Sequence, residues 1–250
     1  MTVLVGGVSQ LYQGDLDLGR IAVERLAAEP LGHGVMVEDL HYGAVAVAQR
    51  LEELEPEALI LIGAETRGRP PGTVQRRRIR TETPSPAQVR DAVAEAVQGY
   101  VGIDLVVEVG AGLDVLPART VTVEVEPART DPCERLSTTA EAALDTALEL
   151  ARAEVRRTPL LDLGDQIRAV VAEERLRPSP ALGSLTALLD QLALLDEHGR
   201  WGSTFAERER LRLHIAGGRT SEGMSHLDWG LWWALLEELD RLQPLEVGTA

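Results

Sequence analysis

Short aliphatic runs alternate with helical patterns through the first two-thirds of this 250-residue sequence. No other feature narrows the available folds as much. Ala58 to Ile62 is the clearest strand: four aliphatic residues follow Ala58, and Gly63 stands directly at the end. Val3-Leu4-Val5 and Val35-Met36-Val37 are two further strands. Between them, Leu18, Ile21, Ala22, Arg25 and Leu26 fall at helical spacing, and a second helix runs from about Ala44 to Leu54. Thr73 to Arg80 reads as extended, and Thr120 to Val125 alternates β-branched with other residues. Ser85 to Gln98 is helical, with Ser85 as N-cap and Pro86 at the first position. Asp104 to Val109 is open to both readings. Its β-branched content suits a strand, while Ile103, Val106, Val107 and Gly110 suit a helical face. Ala140 to Arg156 reads as a long helix. This order predicts an α/β fold, a three-layer sandwich on a mostly parallel sheet.

From about Thr158 only helices are legible: Leu160 to Leu176, Ala181 to His198, Thr204 to Ile215 and Ser225 to Leu242. Pro178-Ser179-Pro180 and Gly217-Gly218 punctuate them. All four Trp and the single Phe, Phe205, lie in this part. The expected organisation is an α/β domain over residues 1–157 and an all-α helical domain over residues 158–250.

Composition removes several functions. The 25 basic residues are all Arg, against 40 acidic ones, for a net charge of −15. Without Lys there is no Schiff base, no lysine general base and no Walker-type phosphate lysine. So acidic a protein is not expected to bind nucleic acid, which needs a basic surface. One cysteine, Cys133, excludes an internal disulfide and a four-thiolate metal site. Met1 to Gly7 has no basic n-region, and no apolar run approaches the ~20 residues of a membrane span. A cytoplasmic protein without membrane contact is expected.

The most informative stretch runs from Gly6 to Gly19, after a strand and before a helix. That places it at the carboxyl end of the sheet, where α/β proteins bind ligands. Asp15 and Asp17 admit two readings there: cation ligands, or a helix cap and a dipole partner.

These residues carry a family resemblance. Val3-Leu4-Val5-Gly6-Gly7 and Gly14-Asp15-Leu16-Asp17-Leu18-Gly19 resemble the opening strand and acidic element of the hydrogenase maturation endopeptidases. Leu59-Ile60-Leu61-Ile62-Gly63-Ala64 and the later Pro71-Gly72-Thr73-Val74 are similar to a second characteristic stretch of that family. Leu116-Pro117, Val121 to Val125, Glu126-Pro127-Ala128 and Leu136-Ser137 continue the pattern in order, so the likeness spans residues 1 to about 157. The family trims the C-terminus of the nickel–iron hydrogenase large subunit, using a nickel-sensing site of two carboxylates and a His. Aligned by the glycines, those ligand positions fall on Leu16, Gly63 and Gly99, none of which can ligate nickel.

The resemblance, with its ligands erased, implies a non-catalytic pseudoenzyme. It would act as a binding or assembly factor in hydrogenase maturation, with no cofactor and a protein partner such as a hydrogenase large subunit. The other reading is an active endopeptidase whose nickel site is displaced onto Asp15, Asp17 and Glu65. Two further features suit a partner. Arg76-Arg77-Arg78 with Arg80 is the only dense basic run, so Arg76 and Arg78 either line an edge strand or dock an acidic segment. Trp229, Trp232 and Trp233 fall on one helical face with Leu236, as helical core or as partner surface.

Overall fold

The computed structural model describes residues 1–80, 85–96, 101–173, 180–200, 205–216 and 226–246. It divides into two compact units, Met1–Val155 and Arg156–Ala250.

The first unit is built on one five-stranded sheet. Its strands are β1 (Val3–Gly7), β2 (Val35–Asp39), β3 (Ala58–Ala64), β4 (Val74–Ile79) and β5 (Arg119–Val125), in the order β2-β1-β3-β5-β4. Every pairing is parallel except that of β4 with β5. A parallel sheet must be covered on both faces, and the strand sequences provide for this by alternation. Val3, Val5, Ile60, Ile62, Val123 and Val125 pack on α1 (Leu18–Ala27) and on Ala140 to Val155, the first part of α5 (Thr138–Glu173). Leu4, Leu59 and Leu61 point the other way, onto α2 (Ala44–Leu54), α3 (Pro86–Ala96) and α4 (Ile103–Gly112). The three-layer α/β architecture is thus the one the alternation predicts.

Two details differ from the sequence reading or resolve it. The ambiguous Asp104 to Val109 is helical: Ile103, Val106 and Val109 are buried on one side of α4, and the β-branched content is overridden by that packing. The sequence reading ends one helix at Arg156 and begins the next at Leu160, but α5 is continuous, with Pro159 inside it. Proline there removes a single N–H from the helical ladder, and burial of Leu160 and Leu161 at the following positions holds the helix.

In the second unit, α6 (Pro180–His198), α7 (Phe205–Ala216) and α8 (His226–Glu246) share an aliphatic core with the end of α5. Leu161, Ile167, Leu188, Leu192, Leu211 and Leu239 belong to it, and Trp232 is its one described aromatic side chain. The expected tryptophan face is divided. Trp232 is 1% exposed, Trp233 is 50% exposed, and the Trp229 side chain lies outside the described ones. Adjacent positions on a helix are 100° apart, and here the Trp232 ring takes the core side while Trp233 lies toward solvent. No helix among the described residues is long and apolar enough to cross a membrane.

Candidate functional site

Parallel strands end on the same side, and the loops leaving β1, β3 and β5 gather at that rim. A cleft of about 330 Å³ opens there, lined by Gln10, Leu16, Ala64, Glu65, Thr66 and the start of α4. At the same rim two backbones approach closely. A Cβ on Gly7 would lie 2.3 Å from the Gly19 oxygen, so the start of α1 can sit against the end of β1 only if residue 7 has no side chain.

The carboxylates named from sequence do not converge. Asp15, fully buried in the 3-10 turn Gly14–Asp17, faces the segment after β5. Its Oδ2 accepts from the backbone N–H of Ala128 (2.8 Å) and Arg129 (3.0 Å) and from the Ser137 hydroxyl (2.8 Å). Its Oδ1 accepts from the Ser137 N–H at 2.6 Å. Four donors satisfy the buried charge, and Asp15 makes no cap hydrogen bond to a helix. Asp17, also buried, makes a bidentate pair with Arg20, Oδ1 to Nε at 3.0 Å and Oδ2 to Nη2 at 2.5 Å. Glu65 lines the cleft, and its Oε1 accepts from the Ile103 N–H at the start of α4. Burial pushes the Glu65 carboxyl up, against the opposing effect of that N–H. Among the described residues, no three His, Cys, Asp or Glu side chains come together as a metal site.

The positions aligned with the family's ligands fit a metal no better. Leu16 presents an aliphatic side chain to the cleft. At Gly63 a Cβ would stand 2.7 Å from the Val8 oxygen and 3.2 Å from Ile103 Cδ1, so no ligand fits there without moving the backbone. Gly99 lies outside the described residues.

Asp104, in the cleft lining, belongs to a charge network that was not legible in the sequence. Glu124, completely buried on β5, accepts from Arg67 Nε (3.0 Å), Arg77 Nε (2.9 Å), Arg69 Nη2 (3.2 Å) and the Thr122 hydroxyl (3.0 Å). Burial opposes its charge, but the Arg67 and Arg77 guanidiniums outweigh it and hold the carboxyl below its ordinary value. Arg67 also forks onto Asp104 of α4, at 2.5 and 2.7 Å, which lowers that carboxyl too. The Glu126 carboxylate holds the loop after β3 through the N–H groups of Arg67 and Gly68. The one available signal was polar Thr120, Thr122 and Glu124 at alternate positions of an otherwise aliphatic strand.

The basic run divides by the same alternation. Arg77 reaches Glu124 on one face, while Arg76 turns to the other and pairs with Glu154 of α5 at 2.9 and 3.1 Å. Both partners of this second pair are buried, at 6% and 4% exposure. Arg78 donates to the carbonyls of Ile79, Thr120 and Ala118. Cys133 stands between acidic residues in the sequence, yet its Sγ accepts from Arg129 Nη2 at 2.9 Å.

The first unit is therefore a parallel-sheet α/β unit. It carries a rim cleft at which the two described ligand-equivalent positions are aliphatic, at Leu16, and closed, at Gly63. No family model and no curated protein matches the sequence. Among solved structures, the chain is similar to the hydrogenase 2 maturation peptidase of a Thaumarchaeota archaeon. The identity is 24%, over 60% of this chain and 95% of that one, with a TM-score of 0.42. It is also similar to the hydrogenase maturating endopeptidase HybD from E. coli, at 22% identity over 63% of this chain and 94% of that one, TM-score 0.47. An endopeptidase from Escherichia coli matches at 25% identity over 64% and 94%, TM-score 0.47. HybD and the archaeal peptidase bear the name of the family that residues 1–157 resemble in their motifs.

Proposed function

We propose that the α/β unit, taken as residues 1–157, is a divergent hydrogenase maturation peptidase domain without peptidase chemistry. It serves as a binding or assembly factor in nickel–iron hydrogenase maturation, with a hydrogenase large subunit as its partner. The ordered motifs support the family assignment. One observation carries the loss of catalysis: the position equivalent to the second carboxylate ligand is Gly63, where backbone and Ile103 leave no space for a side chain. Leu16 at the first position and the engagement of Asp15, Asp17 and Glu65 with donors elsewhere support it further. An endopeptidase that senses nickel needs N or O donors converging at bonding distance.

Calorimetric titration of the purified full chain with nickel or cadmium, paired with capture of a large-subunit precursor, tests this reading. The expected result is no saturable metal site together with capture of the precursor. Tight, stoichiometric nickel binding abolished by Glu65→Gln would overturn it in favour of a displaced site.

A further inference from the structure

The two described tyrosines of the α/β unit sit where its core does not need them. Residues 1–157 contain no Phe and no Trp, and their three tyrosines are Tyr12, Tyr42 and Tyr100. Tyr100 lies outside the described residues. Tyr12 follows β1 and Tyr42 follows β2, beyond the carboxyl ends of two adjacent parallel strands. They are 60% and 42% exposed, above a core made of aliphatic residues. The two loops are joined at their bases, because the Ser9 hydroxyl donates to Asp39 Oδ1 at 3.4 Å, three residues before each tyrosine.

Tyr12 is also held in a costly conformation. Its φ is +61°, in the left-handed region that bulky residues avoid. The Cys133 N–H fixes it by donating to the Tyr12 carbonyl at 2.8 Å, and the Gly14 N–H returns to the Cys133 carbonyl at 3.0 Å. Strain of this kind persists only where the surroundings impose it, and here it is retained beneath a ring that is mostly in solvent.

The charges around these rings are mostly acidic: Glu38, Asp39 and Glu53 surround Tyr42 against a single Arg50, which itself pairs with Glu38 and Glu53. Two carboxylates line the adjacent cleft: Asp104 is already paired with Arg67 and Arg77, while Glu65 makes no ion pair among the described residues. Glu134 shares a groove of about 450 Å³ with Tyr12 and makes no ion pair among the described residues. The neighbouring Arg129 is turned to the Cys133 sulfur and the Arg135 carbonyl. A net charge of −15 attracts cations and repels a second copy of the chain. Tyrosine faces accept guanidinium and ammonium groups, and exposed tyrosines anchor interfaces.

We infer that Tyr12 and Tyr42 anchor a positively charged polypeptide segment of the partner at the carboxyl rim of the sheet, with Glu65 and Glu134 receiving its cations. The inference rests on the proposed binding role and assigns it a surface.

Fluorescence anisotropy of the full chain with a labelled peptide alternating Arg and Leu tests it, beside a Glu-Leu peptide of equal length. The variant carries Tyr12→Asn and Tyr42→Ser; Asn tolerates the left-handed conformation, and neither change alters charge. Circular dichroism checks that the variant is folded, and Tyr12→His with Tyr42→His retains aromatic rings as a second variant. The expected result is binding of the Arg peptide only, weakened about tenfold or more by the first variant and less by the second. Equal binding by wild type and the first variant would show attraction by net charge alone and overturn the inference. Binding of the Glu peptide, or of neither peptide, overturns it as well. The two proposals fail separately. Capture of a large-subunit precursor unchanged by Tyr12→Asn and Tyr42→Ser rejects this surface and leaves the binding role. Tyrosine-dependent binding of the Arg peptide without capture of any precursor rejects the role and leaves the surface.

Discussion

Ser137 holds the Asp15 carboxylate twice, through its backbone N–H at 2.6 Å and its hydroxyl at 2.8 Å, across 122 residues of sequence. With the N–H groups of Ala128 and Arg129, this fixes the turn after β1 to the segment entering α5. Asp15→Ala would leave those part-buried donors without their acceptor and is expected to cost about 1–3 kcal/mol. Urea denaturation of the full chain, with hydrogen exchange at the Arg129 and Ser137 amides, measures it. A change below about 1 kcal/mol would mean the carboxylate is not the clasp described.

The Arg76–Glu154 pair has a different signature. Removing one partner leaves a buried charge alone, so Arg76→Met or Glu154→Leu should each destabilise by about 3–5 kcal/mol. The double substitution should recover most of that loss, because two apolar side chains restore packing without a charge to solvate. A double-mutant cycle by denaturation distinguishes this from two independent losses, which would simply add.

Acid should weaken the first unit through Glu124 and Asp104. Their carboxyls lie below their ordinary values of 4.5 and 3.8 when folded, so their contribution is complete above those values and is lost as pH falls through the folded pKa values. Glu65 acts in the opposite direction, since its raised carboxyl favours the folded state at low pH and loses that contribution as pH rises. Denaturation midpoints measured below pH 4.5 should fall steeply in wild type and less in Glu124→Gln, where the titrating group is gone. Parallel pH profiles for the two proteins would contradict the network's role.

Gly63 separates a lost metal site from a recoverable one. Gly63→Ala should destabilise by about 1–3 kcal/mol through overlap with the Val8 carbonyl, and Gly63→Asp by no less. Leu16→Asp, at a half-buried position on the cleft, should be milder. Thermal melts of the three variants compare them directly. A Gly63→Asp variant as stable as wild type would reopen the site to a ligand.

Much of the fold was legible because alternation and helical spacing are local. The strands at Val3, Val35, Ala58 and Thr120 and the helix at Ala44 stand where those patterns place them. What failed depended on distant partners. Nothing near Asp15 in the sequence shows that its acceptors are filled by backbone donors more than 110 residues away. Arg76 and Arg78 read as one basic run with Arg77, yet strand alternation sends Arg76 to a buried glutamate on α5 and Arg77 to one on β5. Leu16 and Gly63 carried the most information as residue types, because aliphatic and absent side chains exclude ligation whatever the geometry.

Loss of peptidase chemistry is tested most directly by the mass of a hydrogenase large-subunit precursor after incubation with the purified full chain and nickel. The predicted result is a precursor captured with its C-terminal extension intact. Release of the extension by this chain, abolished when nickel is withheld, would contradict it.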